Sequence, residues 1–195
     1  MINNFIRKFI TLPSIFFKNK KIDLKKDQKI LNEIKGLIKS YKLNYSTLKK
    51  THKIFNDELF ILFKKKNIRN FLRENFIQKM FFVHNRIFIY DELKKLKNEK
   101  KLFFYKKLLV EDDTGNPVRY FLYPKSSGNK INHVFHLSLL INAFNLNLTK
   151  IPKVFEFGGG YGCMARIFSK INPKIKYTSF DTYYVSLLQY YFLKN

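Results

Sequence analysis

The stretch VFEFGGGYG, residues 154–162, runs from apolar residues straight into glycines at 158, 159, 160 and 162. Val154, Phe155, Glu156 and Phe157 have the composition of a short strand. Met164, Ala165, Ile167 and Phe168 then follow helical spacing, and Asn172-Pro173 stops them. Residues 175–180 make a second strand-like run closed by Asp181. Val185, Leu187, Leu188 and Tyr191 begin another helix. The order β-α-β-α predicts parallel strands joined by a right-handed crossover. Glycines at a strand-to-helix turn let backbone approach a ligand closely, and the helix that follows presents free N–H groups. An acidic residue at the end of the next strand can accept both hydroxyls of a ribose. Asp181 stands at about that position, 19 residues after Gly162. Residues 151–195 therefore look like half of a nucleoside-cofactor site.

Two cofactor classes compete for it. Gly160-Tyr161-Gly162-Cys163-Met164-Ala165 fits the relaxed dinucleotide pattern G-x-G-x-x-A. Glu156-Phe157-Gly158-Gly159-Gly160-Tyr161-Gly162 fits the acid-x-G-x-G-x-G pattern of S-adenosylmethionine-dependent methyltransferases. A carboxylate two residues before the first glycine suits the ammonium-bearing methionyl end of that donor. It opposes a pyrophosphate, which is already negative. The acid favours S-adenosyl-L-methionine. A nicotinamide-cofactor site is the alternative, and a glycine turn with no ligand is the bland reading.

The blocks VFEFGGGYGCMARIFSKINP and KYTSFDTYYVSLLQYYFLKN also resemble the sugar O-methyltransferase family of bacterial surface-polysaccharide gene clusters. That family carries V-x-E-[IF]-G-G-G-Y-G, then Y-x-x-x-D-[LI]-P, then Q-x-Y-[YF]-L. Here Tyr177, Asp181 and Gln189-Tyr190-Tyr191-Phe192-Leu193 stand at the matching places. Thr182-Tyr183 replaces the Leu-Pro, which alters the loop but keeps the carboxylate. The resemblance is specific over 151–195 and weaker over 111–150. It implies a Rossmann-like methyltransferase domain that uses S-adenosyl-L-methionine. Glu156, Gly158, Gly159, Gly160, Tyr161, Gly162 and Asp181 would bind the cofactor. It also implies methyl transfer to a hydroxyl of a sugar in polysaccharide biosynthesis, with a glycan or small molecule as acceptor. Such a domain needs about seven strands, and only the first β-α-β-α portion is present. The chain is therefore expected to be a fragment with weak activity or none by itself, and no catalytic base is assigned.

Outward from this block, the sequence divides by charge. Residues 1–110 carry 28 basic and 9 acidic residues, 111–150 carry 4 and 3, and 151–195 carry 6 and 2. The fold expected is α/β: a basic helical region over 1–110, a turn, strand and helix over 111–150, and the incomplete cofactor domain over 151–195. Ile30, Leu31, Ile34, Leu37, Ile38 and Tyr41 share one helix face. Phe71, Leu72, Phe76 and Met80 predict a second helical segment, and Asp91-Glu92 opens a third. Residues 118–123 read as a strand, 124–129 as a turn, and Ile131 to Phe144 as a helix.

The net charge of +24 would ordinarily suggest an anionic partner. Only 6 of the 38 basic residues are arginine, however, and Lys, Asn, Ile and Phe make up 93 of 195 residues. All four have A/T-rich codons, so coding bias explains the charge, and nucleic acid is not the expected partner. The alternative function is a basic helical module that binds RNA or a membrane surface. Its mark would be binding that falls steeply with salt. No apolar run reaches the ~20 residues of a membrane span. The N-terminal MINNFIRKFITLPSIFF, broken by Arg7, Lys8 and Pro13, is expected to pack as a short helix, with peripheral membrane contact as the other option. One cysteine excludes a disulfide framework within the chain and suggests a cytoplasmic setting.

Other residues have ordinary readings. His133 and His136 share a helix face. No metal is expected, because no third ligand lies near. One of them would suit the proton of a sugar hydroxyl, though a plain helix histidine is the simpler view. His52 and His84 have no partner pattern. Glu111-Asp112-Asp113 reads as a solvated turn, and Cys163 as a packed residue rather than a dipole-activated thiol. The pairs Tyr183-Tyr184 and Tyr190-Tyr191 suit either ligand stacking or core packing.

Overall fold

The computed structural model describes residues 23–40, 50–64, 68–81 and 89–195. The segment 1–17, Tyr41, His84 and the side chain of His52 lie outside the described residues. The described chain is mixed α/β, mostly helical, with two small sheets.

Asp23 caps the first helix, α1 (Leu24–Ser40), by accepting from the amides of Lys25 and Lys26 at 3.0 and 3.1 Å. It buries Ile30, Leu31 and Ile34, while Leu37 stays exposed. α2 (Lys50–Lys64) buries Leu59, Leu62 and Phe63. The segment expected as one helix around Phe71 and Met80 is divided. A 3₁₀ stretch, Ile68–Arg73, precedes α3 (Asn75–Phe81), and Asn70 leaves helical geometry at φ −104°, ψ 23°. Long-range hydrogen bonds cause the break. Asn116 Nδ2 donates to Asn70 Oδ1 at 2.9 Å, and the Leu72 amide donates to Gly115 O at 3.0 Å. α4 (Ile89–Asn98) begins with Asp91 and Glu92 in its first turn, as expected, and α5 (Leu102–Leu109) follows.

Residues 118–129 correct the sequence reading. Two strands form, β1 (Arg119–Tyr120) and β2 (Tyr123–Ser127), paired antiparallel with Tyr120 opposite Tyr123. Phe121-Leu122 makes the turn, so the β-favouring run folds back on itself. Pro124 is tolerated because a two-stranded sheet has only edge strands. Ser127 then caps α6 (Gly128–Phe144), its Oγ accepting from the Lys130 amide at 3.1 Å. The helix therefore starts before Ile131, where hydrophobic spacing would place it.

The last segment follows the expected order: β3 (Lys153–Phe157), α7 (Cys163–Ile171), β4 (Lys176–Phe180) and α8 (Tyr183–Lys194). β3 and β4 are parallel, in register from Lys153 opposite Lys176 to Phe157 opposite Phe180. One face of the pair meets the core. On the other, Phe155, Phe157 and Phe180 are exposed, and the rings of Phe157 and Phe180 stack at 5.4 Å.

One hydrophobic cluster runs from Ile30 in α1 to Phe192 in α8. At its centre Phe71, Tyr161, Tyr191 and Phe192 meet edge to face, with centroids 5.0 to 6.2 Å apart. Asp27 is fully buried within it. Arg69 Nε and the Tyr191 hydroxyl both donate to Asp27 at 2.6 Å, tying α1 to the 3₁₀ stretch and α8.

The acidic triplet is also corrected. Glu111, Asp112 and Asp113 are ion-pair partners rather than a solvated turn. Lys130, buried in the first turn of α6, lies 2.9 Å from Glu111 Oε1 and 3.0 Å from Asp112 Oδ2. Lys170 of α7 reaches the same Asp112 oxygen at 3.2 Å, and Arg119 meets Asp113 at 2.6 Å. Ser127 Oγ donates to Glu111 Oε2. A lysine removed from water needs such partners. Burial works against its charge, but the two carboxylates outweigh burial and raise its pKa. Burial likewise opposes ionisation of Asp112, and Lys130 and Lys170 outweigh it, so the Asp112 pKa is lowered. Among the described residues no helix is long and apolar enough to cross a membrane.

Three expectations concern stability. Gly115 has φ +80°, and a Cβ there would meet the Phe71 ring at 2.4 Å. Gly115→Ala should cost about 2–4 kcal/mol in urea unfolding. Lys130→Ala leaves the buried Glu111 carboxylate without its cation, Asp112 keeping Lys170, and should cost about 3–5 kcal/mol near neutral pH. In the unaltered chain the Asp112 contribution is present above the ordinary pKa of 3.8 and disappears as pH falls through its lower folded value. Urea titrations between pH 2 and 7 would display that loss.

Candidate functional site

Leaving β3, the chain turns through Gly158, Gly160 and Gly162, all at positive φ, and enters α7. The Gly158 amide donates to Phe180 O at 2.8 Å, which ties the turn to the end of β4. Gly159 is required for space rather than for its dihedral angles. A Cβ there would sit 2.4 Å from both Glu156 Oε2 and Ser179 Oγ. The backbone thus lies directly against a carboxylate and a hydroxyl on the inner face of the sheet.

Glu156 and Asp181 flank this turn in different states. Both Asp181 oxygens are engaged by backbone: Oδ2 accepts from the Gly160 amide at 3.1 Å and Oδ1 from the Thr182 amide at 2.7 Å. Glu156 is half-buried and its Oε2 has no hydrogen-bond partner, nor does the buried Ser179 Oγ beside it. Burial raises the Glu156 pKa; a hydrogen bond from Tyr177 works the other way, and the charge of Asp181 adds to the rise. A buried acceptor without a donor is costly, so the pair fits a donor supplied from outside the chain.

Two small cavities adjoin the turn. One, of about 220 Å³, is lined by Glu156, the glycines, Asn129, His133 and Cys163. The other, of about 280 Å³, is lined by Asp181, Thr182, Val185 and Asn56. Met80, Phe81, Gly158 and Gly160 border both. Phe81 lies against Gly160, where a Cβ would meet its ring at 3.0 Å. A larger hollow, of about 770 Å³, is an open groove along exposed side chains of α1 and holds no buried polar group.

The histidines separate. His133 lines the first cavity, whereas His136 is exposed. His133 Nδ1 lies 2.8 Å from Asn129 O. A carbonyl only accepts, so Nδ1 carries the hydrogen and Nε2 keeps its lone pair. Burial lowers the His133 pKa, the backbone bond offsets part of this, and His136 adds to the lowering. The ring is neutral at pH 7.

Asn129 and Phe81 were not legible as site residues. Asn129 Nδ2 donates to the Tyr161 hydroxyl at 2.7 Å, while its backbone carbonyl orients His133. The ring of Tyr161 is buried among Phe71, Phe81 and Phe192, so that side chain builds the base of the turn. The other tyrosine pairs serve packing between helices. Tyr183 donates to Leu37 O at 2.8 Å, Tyr190 to Glu33 at 2.6 Å, and the Tyr184 ring meets Phe60 at 5.8 Å. Among the described residues no group of three His, Cys, Asp or Glu side chains could hold a metal ion.

No family model, curated protein or solved structure matches this chain. The geometry of the turn therefore carries the functional reading.

Cys163 opens α7 but is buried, and burial pushes its thiol up to about 12. The folded protein should react with Ellman's reagent at pH 8 about a hundredfold more slowly than the urea-unfolded chain.

Proposed function

We propose that the glycine turn between Glu156 and Asp181 binds S-adenosyl-L-methionine, and that the chain belongs to a Rossmann-like methyltransferase acting on a hydroxyl. The observation that carries this is the placement of two carboxylates on either side of a positive-φ glycine turn, at the carboxyl ends of adjacent parallel strands. Ligands of open α/β sheets bind at that end. The unpartnered Glu156 Oε2 suits an ammonium donor. Asp181 closes the second parallel strand, the position from which a carboxylate accepts ribose hydroxyls. A dinucleotide fits less well. The Gly160 amide that would face a phosphate is committed to Asp181, and Glu156 would repel the charge.

The bound donor would supply an electrophilic methyl group on a sulfonium. The chain's own residues hold and orient it: Glu156 at the methionyl end, the glycines beneath it, and Asp181 at the ribose. Rate enhancement then comes from alignment of donor and acceptor. A sugar acceptor, in surface-polysaccharide synthesis, rests on the family resemblance of residues 151–195.

Calorimetric titration with S-adenosylhomocysteine tests the donor site. Binding should be insensitive to salt and weakened at least tenfold, by about 1.4 kcal/mol or more, in Asp181→Ala and in Glu156→Gln. NADH should not displace it. A folded chain that fails to bind, or that releases S-adenosylhomocysteine to NADH, would sink the proposal.

A further inference from the structure

We infer that His133 is the proton acceptor of the site, placed beside the methyl-bearing end of the donor. The inference rests on the donor reading above and goes one residue beyond it. Three observations meet here. His133 lines the same cavity as Glu156 and the glycine turn. Its Nδ1 is committed to Asn129 O at 2.8 Å, which leaves Nε2 as the acceptor. The partner of Nδ1 is the Asn129 backbone carbonyl, and the Asn129 side chain is buried and bonded to the Tyr161 hydroxyl at 2.7 Å, so the helical turn that carries the ring packs on the base of the glycine turn.

In the reaction this implies, the acceptor hydroxyl oxygen forms a bond to the methyl carbon as the carbon–sulfur bond breaks. The electron pair of that bond stays on sulfur, which becomes a neutral thioether. The hydroxyl proton goes to His133 Nε2 and then to water. A neutral imidazole is required at the start. It also suits the donor, since an imidazolium would repel a sulfonium.

That repulsion gives a test without a known acceptor. S-adenosylmethionine and S-adenosylhomocysteine differ by one methyl group and one positive charge. Glu156 acts on the ammonium that both ligands share, but its carboxylate also attracts the sulfonium and its raised pKa lets that attraction titrate, so the ratio is measured in Glu156→Gln as well, where the slope due to His133 should persist. The other groups facing His133 are His136 of its own helix, Lys130 and Glu111 of the ion-pair network, and Cys163 and Tyr161 across the cavity, the Tyr161 phenol staying protonated because burial raises its pKa. Cys163 stays a thiol, with its pKa near 12. The affinity for S-adenosylmethionine relative to S-adenosylhomocysteine should fall about tenfold between pH 8 and pH 5, most of it below the ordinary histidine value. His133→Asn should flatten this ratio while binding S-adenosylhomocysteine within about threefold. His136→Asn should leave the slope intact. Should His133→Asn fail to fold, histidine carbon-labelled NMR of the unaltered chain serves instead. The His133 pKa should then be about one unit lower with S-adenosylmethionine bound than with S-adenosylhomocysteine bound. A flat ratio with S-adenosylhomocysteine bound, or an unchanged slope in His133→Asn, overturns the His133 assignment alone. Binding of neither ligand overturns the donor reading and this inference together.

Discussion

Lys130 fixes the position of much that surrounds it. Its ammonium is buried at the first turn of α6, between Glu111 and Asp112. The same Asp112 oxygen holds Lys170 on α7, and Val110 O accepts from both lysines at 3.3 and 3.0 Å. One strand of irregular chain, 110–113, therefore anchors two helices. The glycine turn opens α7, and Asn129 and His133 lie on α6 within a turn of Lys130. The cavity beside Glu156 is thus framed by elements that share one electrostatic anchor. An apolar side chain at 130 could fill the volume. It could not hold the 110–113 segment against both helices.

The β-α-β-α end was legible because every local signal agrees there. Apolar strands, clustered glycines, the Asn172-Pro173 stop and Asp181 all indicate the same arrangement. The structure brings Glu156, the glycines and Asp181 together as that pattern implies. Errors arose where distant partners decide local shape. Asn70 leaves the helix for Asn116, and periodicity carries no trace of that bond. Glu111 and Asp112 looked solvated because their cation lies on another element. His133 and His136 sit three residues apart, so spacing assigns them one face; only the packing of α6 shows which of them is covered. Asn129 gave no signal, being a common turn residue next to a glycine.

The two carboxylates of the turn illustrate how neighbours set chemistry. Asp181 is satisfied by two amides and acts partly as scaffold. Glu156 lies in the adjacent strand, beneath Gly159, with one oxygen unsatisfied and its charge disfavoured. Similar residues, one strand apart, thus divide into a structural role and a reserved one.

The outer face of β3 and β4 has a different consequence. Phe155, Phe157 and Phe180 present an aromatic surface to water on a chain of net charge +24. Copies of the molecule attract through the rings and repel through the lysines. The repulsion is long-ranged only at low ionic strength, with a screening length of ~10 Å at 0.1 M and ~3 Å at 1 M. Added salt removes the repulsion and leaves the attraction between aromatic faces intact. Ionic strength is therefore the variable expected to set the balance, dilute buffer dispersing copies of the protein and concentrated salt drawing them together.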